Sequence, residues 1–309
     1  MSSEREPSRL DRAHVRRSFE RAAATYDAAA VLQREVGARM AERRGVIRLE
    51  PRAILDAGCG TGEALGELAT RFPGARLIGL DLAWNMARAA QERAPPTIAG
   101  GRSLLTRLLG SGGGRGAVRP ALVCGDIAAL PLAPATIDLV WSNLALQWID
   151  EPGVAFAEFQ RVLAIGGLLS FTTFGPDTLR ELRAAFATVD KGTHVSRFID
   201  MHDLGDMLVQ ACFADPVMDM ETLTLTYADG DALMRELKAL GAHNATSARS
   251  RGLMGRGRWR RMLAALERFR REGRLPASFE VIYGHAWKAA PRVATDGRAI
   301  VRFKPPGSR

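Results

Sequence analysis

Apolar positions recur along this chain at two spacings, and the switch between them sketches its elements. From Asp11 to Arg44 the period is helical, with Phe19, Ala22, Ala23 and Tyr26 on one face and Leu32, Val36 and Met40 on another. Short, nearly continuous apolar runs follow at Ala53–Asp56, Arg76–Asp81, Ala121–Gly125, Ile137–Ser142 and Leu168–Phe174. Helical patterns at 62–71, 83–93 and 152–164 lie between them. Strands that do not alternate are buried on both faces, and repeated strand–helix–strand units make them parallel. The pattern predicts an α/β fold, a mostly parallel sheet with helices on both faces.

Beyond Phe174 the rhythm changes. "GPDTLRELRAAFATVD" predicts a helix with Pro176 and Asp177 in its first turn, "MHDLGDMLVQACF" a second helix and "ETLTLTY" a strand. Helices at 230–240 and 258–272 come next, and the alternating "FEVIYGHAWKA" predicts a closing strand. Residues 1–10 read as a disordered lead and 290–309 as a loose tail. Residues 94–120 read as a flexible insertion: their "GSGGGRG" has no strand before it and no helix start after it, as a phosphate loop requires.

Composition narrows the class. No apolar run in the 309 residues approaches the roughly 20 that a membrane span needs, and the charged N-terminus has no signal-like apolar stretch. Three scattered cysteines, Cys59, Cys124 and Cys212, suit a reduced, cytoplasmic setting and offer neither a disulfide framework nor a metal-binding spacing. The net charge of +9 calls for an acidic partner, and it is concentrated: ten arginines face only Glu267 and Glu272 between Arg249 and Arg274.

The chemistry begins at "DAGCGTG", Asp56 to Gly62, between a predicted strand and helix. A P-loop would need Lys and Ser/Thr after its last glycine, but Glu63 and Ala64 stand there. The dinucleotide fingerprint fails too, because its third glycine would fall on Glu63 or Leu65. Asp56 and Glu63 would repel a pyrophosphate; they suit a ligand bearing positive charge and hydroxyls, such as S-adenosylmethionine. Asp81 ends the second strand, where a carboxylate can take both ribose hydroxyls. Asp126, after the third, is placed for the adenine amino group.

"ILDAGCGTG", "LIGLD", "CGDIAALPL" and "IDLVWSNLALQWI" resemble the cofactor motifs of class I methyltransferases. "SFERAAATYDAAAVLQREV", "SRFIDMHDL", "MRELKALGAHN" and "GRLPASFEVIYGHAWK" narrow the resemblance to the malonyl-acyl-carrier-protein O-methyltransferases of biotin synthesis, from about Ser18 to Lys288 apart from the insertion and a loosely matching basic segment. The resemblance implies a Rossmann-like, seven-stranded sheet whose last strand inserts antiparallel, an N-terminal helical lid over 1–45, a methyltransferase domain over 46–289 and a helical basic excursion over 228–276. It implies methyl transfer from S-adenosylmethionine, without a metal, to the malonyl carboxylate of an acyl carrier protein.

A malonyl carboxylate is already ionised at neutral pH, so placement and exclusion of water replace a strong base. The dispersed histidines, His14, His194, His202, His243 and His285, agree with that. The family motifs and the rule that ligands sit at strand carboxyl ends mark Asp56, Gly58, Gly60, Gly62, Asp81, Leu82, Asp126, Ile127, Asn143 and Leu144 for the cofactor. Tyr26, Asn143, Gln147 and Trp148 are the positioning candidates, with Tyr26, Gln33 and Arg197 for the substrate and Arg197 as the carboxylate's cation. Arg258, Arg261 and Arg268 are the expected docking strip for the malonyl-phosphopantetheine carrier, which is acidic. Nucleic acid is not the expected partner, since only Trp259 and Phe269 interleave with the arginines, and no membrane is implied. Three alternatives stay open: a trans-aconitate-type carboxyl methyltransferase, an arginine-hydroxylating assembly factor related to the family, and a nucleic-acid binder with a vestigial pocket.

Overall fold

The computed structural model describes residues 9–43, 45, 47–93, 97–98, 117–242, 244–247, 252 and 254–290. Its strands are β1 (Ala53–Ala57), β2 (Arg76–Asp81), β3 (Thr97–Ile98), β4 (Ala117–Val118), β5 (Ala121–Cys124), β6 (Ile137–Ser142), β7 (Leu163–Phe174), β8 (Ala214–Tyr227) and β9 (Leu275–Trp287). Its α-helices are α1 (Arg12–Ala22), α2 (Tyr26–Ala29), α3 (Val31–Arg43), α4 (Glu63–Arg71), α5 (Trp84–Arg93), α6 (Pro152–Val162), α7 (Arg180–Ala187), α8 (Met201–Gln210), α9 (Gly230–Ala239) and α10 (Arg256–Glu267).

Seven strands form one sheet in the order β5-β2-β1-β6-β7-β9-β8, while β3 and β4 pair separately. The pairs from β5 to β7 are parallel, and β9 runs antiparallel to both β7 and β8. This is the doubly wound sheet that the apolar runs predict, with the last strand inserted. Alternation inside the buried strands splits the core in two. Ile54, Leu139 and Trp141 meet Val36, Met40, Leu65 and Leu68 on one face, while Leu55, Leu80 and Val140 meet Phe156, Phe159 and Leu204 on the other.

Pairing of β8 with β9 puts Tyr227 opposite Leu275, so the chain leaves the sheet and returns to it at one place. Because β8 runs in the same direction as β7, that place is the end where the parallel strands deliver their loops. The excursion is thereby fixed over the carboxyl ends of the strands.

Several boundaries differ from expectation, each for a tertiary reason. The helix expected from Pro176 starts at Arg180, because Asp177 N–H donates to Glu280 and Leu179 N–H to the Ser278 carbonyl, tying this stretch to β9. The basic helix ends at Glu267 instead of 272, so Arg268 is its C-cap and Arg271 lies outside it. Glu272 and Gly273 take positive φ of 48° and 75° in a two-residue turn closed by Arg271 and Arg274, which launches β9. Strand β8 begins at Ala214, seven residues before "ETLTLTY", because the C-terminal half of β9 supplies it with a partner. The N-terminal helical stretch is three segments rather than one. Arg9 and Leu10, expected in a disordered lead, bond to Ser247 and Thr246. Residues 94–96 and 99–116 of the expected insertion, 291–309 of the expected tail, and Arg249, Arg251 and His243 lie outside the described residues.

Candidate active site

The loop after β1 is shaped by the backbone. Gly58, Gly60 and Gly62 take φ of 84°, 51° and 82°, and the Gly58 and Cys59 N–H groups both donate to the Leu80 carbonyl at 2.8 and 3.0 Å. A Cβ on Gly58 would stand 2.4 Å from that of Ala145, so only glycine lets the loop pass beneath the chain leaving β6. Gly62 does a different job from the one expected. It lines none of the cavities described below; as the N-cap of α4 it packs so close that a Cβ would be 2.9 Å from Ala90.

Two carboxyls frame the loop, Asp56 buried and Asp81 half-buried. Asp81 accepts the Gly60 N–H at 2.9 Å on one oxygen and the Ala83 N–H at 2.8 Å on the other. Burial pushes its pKa up to about 6, against the pull of those two donors. Asp56 is 1% exposed, its Oδ2 has no hydrogen-bond partner, and burial together with the Asp81 charge pushes it up to about 8.

The N-terminal helices close over this floor. Glu20 of α1 receives the Trp84 and Asn85 N–H groups at 2.7 and 2.9 Å, capping α5 beside Asp81. Thr61 of the glycine loop donates to Asp27 at 2.5 Å, and Arg93 joins Asp27 to Glu63, which it meets at 3.0 Å. Thr25 donates to the Ala239 carbonyl at 2.9 Å, fastening the lid to α9. Tyr26 lies over Gly60, and burial, then Asp81 and Asp27, raise its pKa, so it stays a protonated phenol.

The end of β6 supplies the remaining wall. Asn143 donates to the Gln33 carbonyl at 2.9 Å and accepts from Thr172 at 2.7 Å; Leu144, at a positive φ of 50°, donates its N–H to the Thr172 hydroxyl at 2.9 Å. Gln147 donates to the Leu144 carbonyl at 2.7 Å. Trp148 packs edge-on against Phe19 of α1, ring centroids 5.1 Å apart.

These elements enclose a cavity lined by Tyr26, Gly58, Gly60, Asp81, Leu82, Asp126, Ile127, Asn143, Leu144, Gln147 and Trp148, which brings most of the expected site residues together. Asp126 is there, but paired with Arg12 of α1. Sequence reasoning missed Arg12 and Phe19, which reach this wall only through the packing of α1, and Phe174, which reaches it from the end of β7. A second cavity, mostly apolar, shares Gln33, Gln147, Trp148 and Phe174 with the first and runs beneath the excursion to Trp259 of α10. His194 also lines it, bonded to Asp190 at 2.7 Å and stacked on Phe186. Arg197 is not brought in: Val195, Ser196 and Phe198 line this cavity while Arg197 is exposed outside it. Arg258, Arg261 and Arg268 are exposed on and just after α10, Arg258 lying 3.9 Å from Asp190. No group of metal-ligating side chains occurs among the described residues, and no described helix is long and apolar enough to cross a membrane.

The floor fits S-adenosylmethionine. The orphaned Asp56 oxygen can receive an ammonium, Gly58 and Gly60 line the cavity with backbone, and Asp81 keeps a second lone pair on each oxygen for a ribose. The methyltransferase domain family matches residues 55–171, which span this floor. Two solved structures share the fold: the YcgJ protein of Bacillus subtilis, with TM-score 0.54 and 13% identity over 83% of this chain and 98% of that one, and a Bacillus halodurans protein, with TM-score 0.53 and 14% identity over 82% and 99%. Strand order, inserted last strand and glycine floor define a class I methyltransferase. Relatives from Laribacter hongkongensis (55% identity over 96% of each chain) and Methylovorus (53% over 97% of each) are both named malonyl-acyl-carrier protein O-methyltransferase. The chain belongs to that family.

Proposed function

We propose that this chain transfers the methyl group of S-adenosylmethionine to the free carboxylate of malonyl-acyl carrier protein, making the ester that starts the pimeloyl chain of biotin. Kinship at 55% identity over 96% of both chains to an enzyme of that name carries the proposal. The cofactor, when bound, supplies an electrophilic sulfonium methyl. Asp81 receives the ribose hydroxyls, Asp126 the adenine amino group once Arg12 has withdrawn, and Leu82 and Ile127 give the purine apolar walls.

Transfer joins a carboxylate and a sulfonium into two neutral products, so the site need not remove a proton. A cation clamped to the carboxylate would stabilise the reactants more than the transition state and slow the step. Neutral donors suit it better. The amides of Gln33 and Gln147 border both the first cavity and the second, and Tyr26, held as a phenol, borders the first. We therefore assign them, with Asn143 and Trp148, to positioning the malonyl group, and withdraw Arg197. The apolar second cavity suits the phosphopantetheine arm, and the exposed Arg258, Arg261 and Arg268 beside its far end suit an acidic carrier protein. With such a partner the setting is the cytoplasm.

Incubation with malonyl-acyl carrier protein and S-adenosylmethionine should add one methyl to the acyl group, read by mass spectrometry of the released arm. Methylation of trans-aconitate instead, or salt-sensitive RNA binding without turnover, would move the chain to another class.

A further inference from the structure

Gln33 of α3 lines both cavities and also a third, which opens between the lid and the glycine loop. Its backbone is fixed. The Gln33 carbonyl accepts from Asn143 at 2.9 Å, and α3 runs so close to the end of β6 that a Cβ on Gly37 would lie 3.2 Å from Asn143 Nδ2. Leu32 and Val36, both buried, hold the helix against the sheet. The side chain is not settled in the same way, because Gln33 Oε1 is buried with no hydrogen-bond partner. Other side-chain acceptors in the wall of the second cavity are engaged. Asn244 accepts from the Thr246 N–H at 3.0 Å, Glu236 from Tyr227 at 2.7 Å, Gln147 from Thr173 at 3.3 Å and the Thr178 hydroxyl from the Glu280 N–H at 3.1 Å. Among the described residues of that wall, only Gln33 presents a side-chain oxygen that is both buried and unpartnered.

A buried acceptor left alone costs stability until a donor completes it, and the place of this one narrows the donor. The ammonium, ribose and adenine donors of the cofactor have Asp56, Asp81 and Asp126 on the floor. A malonyl thioester offers acceptors only. The pantetheine arm carries an amide N–H close to its sulfur, and it comes from the cavity that Gln33 borders. We infer that Gln33 is a positioning residue for the arm, its Oε1 accepting the N–H of the amide nearest the thioester sulfur. The inference rests on the functional reading above. In mostly apolar surroundings such a bond is strong and its loss costly. Held by that amide, the arm stops at a set depth, which brings the carboxylate of a malonyl group to the cofactor floor.

The test replaces the amide nearest the sulfur by an ester, which keeps the carbonyl and loses the N–H. Wild-type kcat/KM for malonyl-acyl carrier protein with the natural arm should exceed that for the ester-armed form by about ten-fold, the loss expected for one buried hydrogen bond. In Gln33→Met, similar in size but without an acceptor oxygen, the two arms should react alike. Gln33→Glu keeps an acceptor and should preserve the difference, whatever its overall rate. Calorimetry should find the affinity of Gln33→Met for S-adenosylmethionine unchanged. Equal wild-type kcat/KM on the two arms, or the wild-type ratio persisting in Gln33→Met, would overturn the inference. So would a matching loss of S-adenosylmethionine affinity in Gln33→Met, which would give the oxygen to the ammonium. A wild type that methylates neither form would overturn the functional reading instead.

Discussion

The floor and the roof of this site are built in opposite ways. The floor is backbone and carboxyls: glycines at positive φ, the buried Asp56 and the half-buried Asp81 near strand ends, all within a few residues of strands buried on both faces. The roof is side chains on helices, Glu20, Tyr26, Gln33 and Trp259, and the lid is joined to the floor by hydrogen bonds, an ion pair and ring contacts. A floor of that kind tolerates almost no change in shape. The roof can be altered residue by residue, which is how one cofactor platform serves many substrates.

The sharpest break of that contrast is Gly58→Ala. Its methyl would meet Ala145 at 2.4 Å with φ at 84°, so strain and overpacking together should cost about 2–4 kcal/mol. Thermal melting and cofactor calorimetry should both report it, and an alanine variant of normal stability and affinity would show that the floor is soft.

A smaller effect follows from Asp56. Its folded pKa of about 8 lies above the usual unfolded value of about 3.9, so the fold favours the protonated form. Its contribution is fully present below about pH 4 and is lost as pH rises through about 8, at about 1.4 kcal/mol per pH unit in between. Asp81 adds the same sign up to about 6. Cofactor-free protein should therefore melt lower at pH 8 than at pH 6, and Asp56→Asn should flatten that slope. An unchanged slope in the variant would mean that the carboxyl is hydrated.

The smallest effect belongs to the roof's outer surface. Exchanging Arg258, Arg261 and Arg268 for glutamate should raise KM for malonyl-acyl carrier protein by several-fold to about ten-fold, mainly through association rate, and leave cofactor affinity untouched. Added salt should weaken the wild type more than the variant, because the strip is screened over about 8 Å at physiological ionic strength. Equal losses on a carrier-free malonyl thioester would make the strip structural.

Legibility follows the same division. The floor could be read from "DAGCGTG" and from the position of Asp81, because a strand, a tight turn and a helix are local and their residue requirements are strict. The parallel strands were legible from their unbroken apolar runs. Apolar spacing that continues to Phe269 carries the expected α10 five residues past its end at Glu267, while the Glu272–Gly273 turn that follows answers to the pairing of β9. A carboxylate's need for a cation and the family motif around it point to Arg197, yet its neighbours Val195, Ser196 and Phe198 line the second cavity and Arg197 is exposed outside it.

The carboxylate of Glu20 bears on where this protein can be cut. A boundary at residue 45 separates the helical prefix from the domain in sequence, but not in hydrogen bonding. Removing the prefix would strip the Trp84 and Asn85 N–H groups of the acceptors that finish α5, next to the aspartate proposed for the ribose. It would also leave Thr61 and Arg93 without Asp27. A fragment that lacks the prefix should therefore bind the cofactor more weakly than the whole chain.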